Sequence, residues 1–248
     1  LCRSLREVAQ RLPVQDWQAI YFYGAGCADG EAAGLMREAL AQAFGAGAHI
    51  EVRSDMWAAV RATAADTSGV VCILGTGSNS CLFNANSDCI SAQVPALGYL
   101  LGDEGGGVML GKRLLQCYFY GLLPEDLRGN LQRAYPDLLP ADGSSAPFVW
   151  QLYKNSPKPN ELLASFARFL AEYPTHEFVE KIVVETLRPF LAERVQPYFS
   201  QYGAPEYYRT HFVGSIAYTW QHFLRPLCRE MGLHCGHVHR TPFPALWQ

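Results

Sequence analysis

The residues best suited to chemistry lie in short segments rich in glycine, hydroxyl and carboxyl groups. Gly75-Thr-Gly-Ser-Asn79 stands between two apolar runs, which places it at the tip of a predicted β-hairpin. Its two glycines allow backbone N–H groups to converge on a bound oxyanion, and Thr76 and Ser78 add hydroxyl donors. The segment therefore predicts a site for the terminal phosphates of a nucleotide, although an ordinary hairpin turn explains it about equally well.

Carboxylates and a further glycine accompany this hairpin. Asp55 ends a predicted strand and begins a helix, where a lone Asp is most simply a helix N-cap. At the carboxyl end of a parallel strand it can instead act as a general base that takes the proton of an attacking hydroxyl. Asp103 is either a solvated loop charge or a partner of sugar hydroxyls. Gly214-Ser215 is either a close-packed turn or a surface for an adenine or ribose.

Three other segments approach known motifs and depart from them. Residues 24–30 resemble a dinucleotide-binding turn, but the third glycine comes one place late. Residues 106–112 have the spacing of a P-loop, yet Arg113 stands where Ser or Thr must bind Mg²⁺. The histidines and the cysteine of residues 234–239 match no standard zinc spacing. We therefore predict that residues 24–30 form a glycine turn before a helix and that residues 106–112 are not a P-loop. Residues 234–239 are predicted to be a polar surface segment without a metal site.

The elements that must position these residues follow the order of an α/β protein. Residues 19–64 alternate strand, helix, strand and helix, which implies parallel strands joined by right-handed crossovers. A hairpin and a third strand cover 70–94, and residues 121–200 are mainly helical. A short strand at 211–213 precedes a helix predicted over 216–231. Breaks in the helical region are predicted at Pro124, Pro140, Pro157, Pro159, Pro174 and Pro197.

Composition excludes several classes of protein. The 248 residues are 49% hydrophobic and 17% charged, which rules out intrinsic disorder. The net charge of −3 gives no basic field for nucleic acid or an anionic membrane. No apolar run reaches the roughly 18 residues of a membrane span. The eight scattered cysteines contain no CxxC pair, which is typical of reduced thiols in a cytoplasmic protein.

Several motifs occur in one order along nearly the whole chain. They are Tyr21-Phe-Tyr-Gly-Ala-Gly-Cys27, Ser54-Asp-Met56, Cys72-Ile-Leu-Gly-Thr-Gly-Ser-Asn-Ser80, Leu97-Gly-Tyr-Leu-Leu-Gly-Asp-Glu-Gly105, Pro159-Asn160, Leu163-Ala-Ser-Phe166 and His211-Phe-Val-Gly-Ser-Ile-Ala217. Together they resemble the BadF/BadG/BcrA/BcrD ATPase family, on its N-acetylglucosamine-kinase-like branch.

The resemblance implies a sugar kinase/heat-shock protein/actin fold, an α/β fold with two ribonuclease-H-like (actin-like ATPase) domains around a cleft. Residues 1–67 then form the C-terminal part of an incomplete first domain. Residues 68–248 form the second domain, with a helical insertion over about 121–200. The implied function is ATP-dependent phosphorylation of an amino sugar, N-acetylglucosamine first among them, in the cytoplasm. ATP, Mg²⁺ and the sugar are the implied ligands. The resemblance leaves open whether the protein forms a homodimer.

The same resemblance assigns roles to individual residues. Asp55 matches the catalytic base, and Asn79 and Asp103 match positions that contact the sugar. Nucleotide-binding positions are matched by Thr76, Gly77 and Ser78 in the second phosphate loop and by Gly214 and Ser215 in the adenosine motif.

One motif of that family is absent. Its first phosphate loop, an Asp-Gly-Gly-x-Ser/Thr hairpin whose Asp positions Mg²⁺, does not occur in the 248 residues. We expect this to reflect N-terminal truncation, so that the main metal-positioning Asp belongs to a missing segment. The chain by itself is then expected to be inactive and its full-length parent an active kinase.

Two alternatives remain open at this stage. An activator ATPase of the 2-hydroxyacyl-CoA dehydratase type bridges an iron–sulfur cluster between two copies and needs two cysteines after the phosphate motifs. Cys81, Cys89 and Cys117 supply no evident pair of that kind. A non-catalytic sugar sensor needs no general base, so Asp55 argues mildly against it.

Overall fold

The computed structural model describes residues 2–12, 17–27, 30–45, 47–140 and 142–243. Ala28 and Asp29 of the early glycine segment lie outside these residues. The chain divides into two compact units, Leu1–Arg61 and Ala62–Gln248. The expected domain boundary at residues 67 and 68 stays a prediction.

In the described residues, the strands are β1 (Ala19–Gly24), β2 (His49–Ser54), β3 (Gly69–Leu74), β4 (Ser78–Asn84), β5 (Cys89–Ala92), β6 (Arg209–Val213) and β7 (His234–His239). The helices are α1 (Cys2–Arg11), α2 (Glu31–Phe44), α3 (Asp55–Thr63), α4 (Gly98–Leu101), α5 (Gly107–Phe119), α6 (Glu125–Ala134), α7 (Ala146–Trp150), α8 (Pro159–Ser165), α9 (Ala167–Ala171), α10 (Glu177–Phe190), α11 (Gln196–Ser200), α12 (Ser215–Thr219) and α13 (Gln221–Glu230). Two π-helical turns cover Gln151–Asn155 and Leu191–Val195.

The first unit is built on two parallel strands. β1 and β2 pair in register from Ala19 opposite His49 to Gly24 opposite Ser54, with α2 as the crossover. A small apolar cluster centres on Cys27, Ala33, Leu40 and Val52. The predicted order of strand, helix, strand and helix is therefore present, and α3 begins at Asp55 directly after β2.

The second unit contains a five-stranded sheet in the order β5-β4-β3-β6-β7. β3 and β4 form the predicted antiparallel hairpin, with Leu74 opposite Ser78. β6 runs parallel to β3, and β7 runs parallel to β6. Because adjacent parallel strands end at the same edge of a sheet, the turns after β3 and β6, at Gly75 and Gly214, lie side by side.

The segment predicted to be a polar surface stretch is an edge strand, β7. Its register places His234 opposite Arg209 and His239 opposite Val213. The sequence His-Cys-Gly-His-Val-His carries little β-propensity, and an edge strand needs pairing on one side only, so the pattern gave no signal. The helix predicted over 216–231 is likewise two helices, α12 and α13, with the buried side chain of Trp220 at the break.

The predicted break at Pro197 is wrong. The chain is helical without interruption from Glu177 to Ser200, through the π-helical turn Leu191–Val195. Pro197 directly follows the π-helical turn and stands in the first turn of α11, and the chain stays helical across it. The apolar core of the second unit packs this long helical segment and α5 beside the sheet, with Phe166, Phe190 and Tyr198 fully buried.

No helix among the described residues combines the length and apolar character that crossing a bilayer requires. The seven cysteines whose side chains are described, residues 27, 72, 81, 89, 117, 228 and 235, are free thiols.

Candidate active site

The tip of the β3–β4 hairpin is fixed by backbone hydrogen bonds. The N–H of Gly75 donates to the carbonyl of Gly77 across the turn, at 3.0 Å. The carbonyls of Gly75 and Thr76 accept the N–H groups of Gly107 (2.8 Å) and Val108 (2.9 Å) at the start of α5. The first amides of this helix are therefore used to hold the hairpin tip, which fixes the position of the tip in the second unit.

Glycines bring three separate segments into backbone contact here. A Cβ built on Gly106 would lie 2.8 Å from the carbonyl carbon of Gly77. A Cβ built on Gly214 would lie 2.1 Å from the carbonyl oxygen of Leu74, and Gly214 also has φ = 129°. A side chain at either position would separate the segments, so the close approach depends on glycine. The structure thus brings together the hairpin tip and the Gly102–Gly107 and Gly214-Ser215 segments.

Asp103 lies directly against the hairpin tip. Its Oδ1 accepts the N–H of Ser78 at 3.0 Å, and a Cβ on Gly77 would lie 2.5 Å from the same oxygen. The backbone of Asp103 has φ = 64°, a left-handed conformation that Asp tolerates better than most residues. The carboxylate and the glycine are therefore packed as a pair.

This contact defines which donors of the tip face a ligand. The Ser78 N–H is taken by Asp103, and the Ser78 hydroxyl is buried with no hydrogen-bond partner among the described residues. In the same part of the chain, the N–H groups of Thr76 and Gly77 donate to no protein acceptor, and Thr76 is exposed. The donors free to meet an oxyanion are thus the two successive amides of Thr76 and Gly77, together with the Thr76 hydroxyl.

Asn79 follows the tip on β4 and is partly buried. Its Oδ1 accepts the side-chain amide of Gln93 at 3.0 Å and the N–H of Ser80 at 2.9 Å. Asp103 accepts the N–H of Ser78, the residue before Asn79, so both residues lie close to the start of β4. Together they place an amide and a carboxylate at one end of the sheet, a combination that suits polyhydroxylated ligands.

A buried polar network that sequence reasoning missed supports this arrangement. The Arg194 guanidinium is almost fully buried, and its Nη1 lies 3.5 Å from Glu104 Oε2. Its Nη2 donates to the carbonyl of Val94 at 3.3 Å. A buried Arg is rare without such partners. Arg194 therefore ties the segment that carries Glu104 and Val94 to the long helical segment.

Tyr198 and Ser80 complete the network. The Ser80 hydroxyl donates to the carbonyl of Arg194 at 2.8 Å and lies 3.0 Å from the Tyr198 hydroxyl. That hydroxyl also accepts the N–H of Val94 at 3.0 Å, and burial raises its pKa well above the ordinary value. The carbonyl of Arg194 belongs to the π-helical turn, a local geometry that is common at functional sites and has no sequence signature.

Asp55 belongs to the first unit, where β2 ends and α3 begins. Burial raises the pKa of its carboxyl group, and the backbone N–H groups of Met56 and of Asp55 itself partly oppose that shift. A raised pKa makes the carboxylate a stronger proton acceptor. Asp55 is thus a partly buried carboxylate at the start of a helix, with a basicity above that of a solvated Asp.

The described residues contain no group of three or more His, Cys, Asp and Glu side chains that could hold a metal ion. Two histidines of β7 form ring stacks instead, with the centroids of the His211 and His237 rings 5.3 Å apart and those of the His237 and His239 rings 5.5 Å apart.

A solved structure from Porphyromonas gingivalis, described as a "Putative N-acetylglucosamine Kinase", is 36% identical to this chain. The match covers 92% of this chain and 76% of that protein, with a TM-score of 0.82. The chain belongs to the same family as this protein. No protein-family model and no curated protein matches the 248-residue chain.

Two further solved structures are similar to this chain in fold alone. A protein of the same description from Chromobacterium violaceum is 20% identical over 91% of this chain and 74% of its own, with a TM-score of 0.62. The ethanolamine utilization protein EutJ from Carboxydothermus hydrogenoformans is 15% identical over 99% of this chain and 70% of its own, with a TM-score of 0.52. The predicted fold class, α/β of the actin-like ATPase type, is confirmed.

Proposed function

We propose that this chain carries the ATP-binding and sugar-binding residues of a kinase that phosphorylates an amino sugar, with N-acetylglucosamine as the substrate. The observation that carries the proposal is the convergence of the two free amides of Thr76 and Gly77 with Asp103 and Gly214 at one edge of the sheet. The 36% identity to the Porphyromonas gingivalis protein supports the choice of substrate class. The BadF/BadG/BcrA/BcrD resemblance and the expected truncation stay part of the proposal.

In the proposed reaction the hairpin tip binds the terminal phosphates of ATP. The N–H groups of Thr76 and Gly77 carry partial positive charge and stabilise the phosphoryl oxygens, which are negatively charged throughout the transfer. Ser78 supports the tip through its hydrogen bond to Asp103. Gly214 and Ser215, which lie beside the hairpin tip, form the surface for adenosine in this proposal, and the packing of Gly214 against Leu74 holds them there.

The sugar is bound by Asn79 and Asp103 and activated by Asp55. Asn79 and Asp103 hydrogen-bond sugar hydroxyls, and Asp55 accepts the proton of the hydroxyl that attacks the phosphorus. Mg²⁺ supplies charge neutralisation in reactions of this class. No Mg²⁺ ligand is assigned among the described residues, which contain no group of three or more His, Cys, Asp and Glu side chains able to hold a metal ion.

Sugar-dependent ADP release tests the proposal. N-acetylglucosamine, N-acetylmuramic acid, glucosamine and glucose are compared in a coupled assay with the full-length parent, and ATP binding is measured with the 248-residue chain. Asp55→Asn should reduce turnover by about 10²–10⁴-fold, since a general base is lost, and should leave ATP affinity unchanged. Asp66→Asn, at an exposed turn, is the matched control. Full turnover in Asp55→Asn would exclude the base.

Thr76→Ala tests the nucleotide site without disturbing its packing, because Thr76 is exposed. The lost hydroxyl should weaken ATP binding by roughly 3–10-fold, the worth of about one hydrogen bond. Thr67→Ala, also exposed, should not change it. Gly77→Val is less specific, because its side chain would displace the Asp103 carboxylate as well. If the protein binds a sugar but releases no ADP with any of the four sugars, a non-catalytic sensor is favoured.

A further inference from the structure

A cavity lies at the opposite end of the sheet from Gly214, where β6 and β7 begin. Its volume is about 450 Å³. It is lined by Tyr207, Arg209, Arg225, Arg229, Leu233, His234 and Cys235. None of these residues belongs to the candidate active site, so the cavity needs a separate explanation.

The lining is strongly cationic. Arg209 comes from β6, whereas Arg225 and Arg229 lie one turn apart on α13. No carboxylate lines the cavity in the part of the chain that the structure describes, and within that part none of the three arginines forms an ion pair. Glu230, next to Arg229 in sequence, is already held by Arg188 through contacts of 2.8 and 3.1 Å.

Local stability explains only part of this cluster. Arg229 lies in the last turn of α13, where the helix dipole favours a cation. Arg225 donates to the carbonyl of Gly236 at 3.4 Å and so helps to hold β7. Neither the helix dipole nor a hydrogen bond to β7 explains the position of Arg209, which begins β6 and lines the same cavity as the other two arginines. Three like charges at one cavity repel one another unless an anion compensates them.

We propose that this cavity binds a phosphate group, either inorganic phosphate or that of a small phosphate monoester. The planar fork of a guanidinium matches the oxygens of phosphate, and arginines on two elements can approach such an anion from two sides. The exposed ring of Tyr207 borders the same cavity and offers an apolar surface to the rest of an ester. This proposal is independent of the proposed kinase function.

Cys235 provides a chemical reporter inside the cavity. Its Sγ lies 3.7 Å from Arg225 Nη1. A hydrogen bond from the Cys228 thiol, opposed by burial and aided by Arg225, lowers the pKa of Cys235. The thiolate is the nucleophile toward alkylating reagents, so Cys235 should be alkylated readily when the cavity is empty.

The first test is calorimetric titration of the 248-residue chain with inorganic phosphate and, separately, with glycerol 3-phosphate, at constant ionic strength set with chloride. Arg209→Gln and Arg225→Gln should each weaken phosphate binding by about tenfold or more, since each removes a charged hydrogen bond. Arg133→Gln, an exposed arginine outside the cavity, should have no effect. Tighter binding of the ester identifies a phosphorylated metabolite, and equal binding identifies free phosphate.

The second test does not depend on the folding of any variant. Alkylation of Cys235 in the wild-type chain by neutral iodoacetamide is followed by peptide mass spectrometry, with and without phosphate. Phosphate should slow alkylation at Cys235 and leave Cys89, a partly exposed thiol elsewhere, unchanged. No phosphate binding at millimolar concentration, equal weakening by Arg133→Gln, or an unprotected Cys235 would each overturn the proposal.

Discussion

At the scale of single residues, the candidate site depends on pairs that fit one another. Asp103 occupies the space in which a side chain at residue 77 would stand, and its carboxylate takes the N–H of Ser78. The same contact leaves the amides of Thr76 and Gly77 without a protein acceptor in the described chain. A carboxylate thus supports the loop that is proposed to receive phosphate, and two amides of that loop have no protein acceptor in the described chain.

His211 gives a prediction about stability at low pH. Burial, with His237, Arg209 and His239 nearby, lowers its pKa to about 4, whereas an unfolded histidine titrates near 6.5. Between these two values the unfolded chain binds a proton that the folded chain does not. The contribution of His211 to folding is therefore complete above about pH 6.5 and is lost as the pH falls toward about 4, a change of roughly 3 kcal/mol.

His211→Gln should remove most of this pH dependence. Glutamine does not titrate and can still accept the N–H of His237, which the Nδ1 of His211 accepts at 3.2 Å. The measurement is the free energy of unfolding in urea at neutral pH and near pH 4, for wild type and variant. His222→Gln, at an exposed histidine, should keep the wild-type dependence. The same slope in wild type and His211→Gln would show that another group is responsible.

At the scale of elements, one glycine determines how α5 crosses α8. A Cβ on Gly111 would lie 1.9 Å from the carbonyl oxygen of Leu163, inside the contact distance of two atoms. This explains the P-loop-like spacing of residues 106–112, because Gly111 serves helix packing and the Lys112 ammonium donates to the carbonyl of Tyr99. Gly111 is thus explained by the close contact between α5 and α8 and not by phosphate binding.

Gly111→Ala should therefore destabilise the second unit by about 1–3 kcal/mol, the usual cost of overpacking. Gly129 is the matched control, since it also lies inside a helix, α6, but a Cβ there would meet nothing within 4 Å. Gly129→Ala should stabilise the protein by about 0.5–1 kcal/mol, because alanine is the better helix former. Urea midpoints measure both variants, and equal shifts would contradict the packing argument.

At the scale of the whole molecule, the two units differ in how much apolar surface they bury. Five of the six residues of β3 are buried, whereas no residue of β1 is and only Val52 of β2 is. The larger core of the second unit should make it the more resistant of the two to local opening.

Amide hydrogen exchange tests this difference. Peptides from β1 and β2 should exchange faster than peptides from β3 and β6, since opening a small core requires less free energy. Peptides from β7, an edge strand of the larger sheet, provide the internal reference for edge position. If β1 and β2 were as well protected as β3, the difference in buried surface would not determine local stability.

The amino-acid sequence was enough to predict the fold class, most of the order of elements and the short segments that carry the candidate site. Apolar periodicity and glycine turns are local signals, so the β3–β4 hairpin and the strand–helix order of residues 19–64 could be predicted directly. Family resemblance then assigned roles to Asp55, Thr76 and Asp103 that still await experiment.

The contacts between distant segments became visible only in the folded protein. β7 acquires its strand conformation by pairing with β6, and the π-helical turn that buries Arg194 has no pattern in the chain. The packing of Asp103 on Gly77 joins residues 26 positions apart, and the cationic cavity joins Arg209 to α13. Such contacts depend on how distant segments share space, which local propensity does not encode.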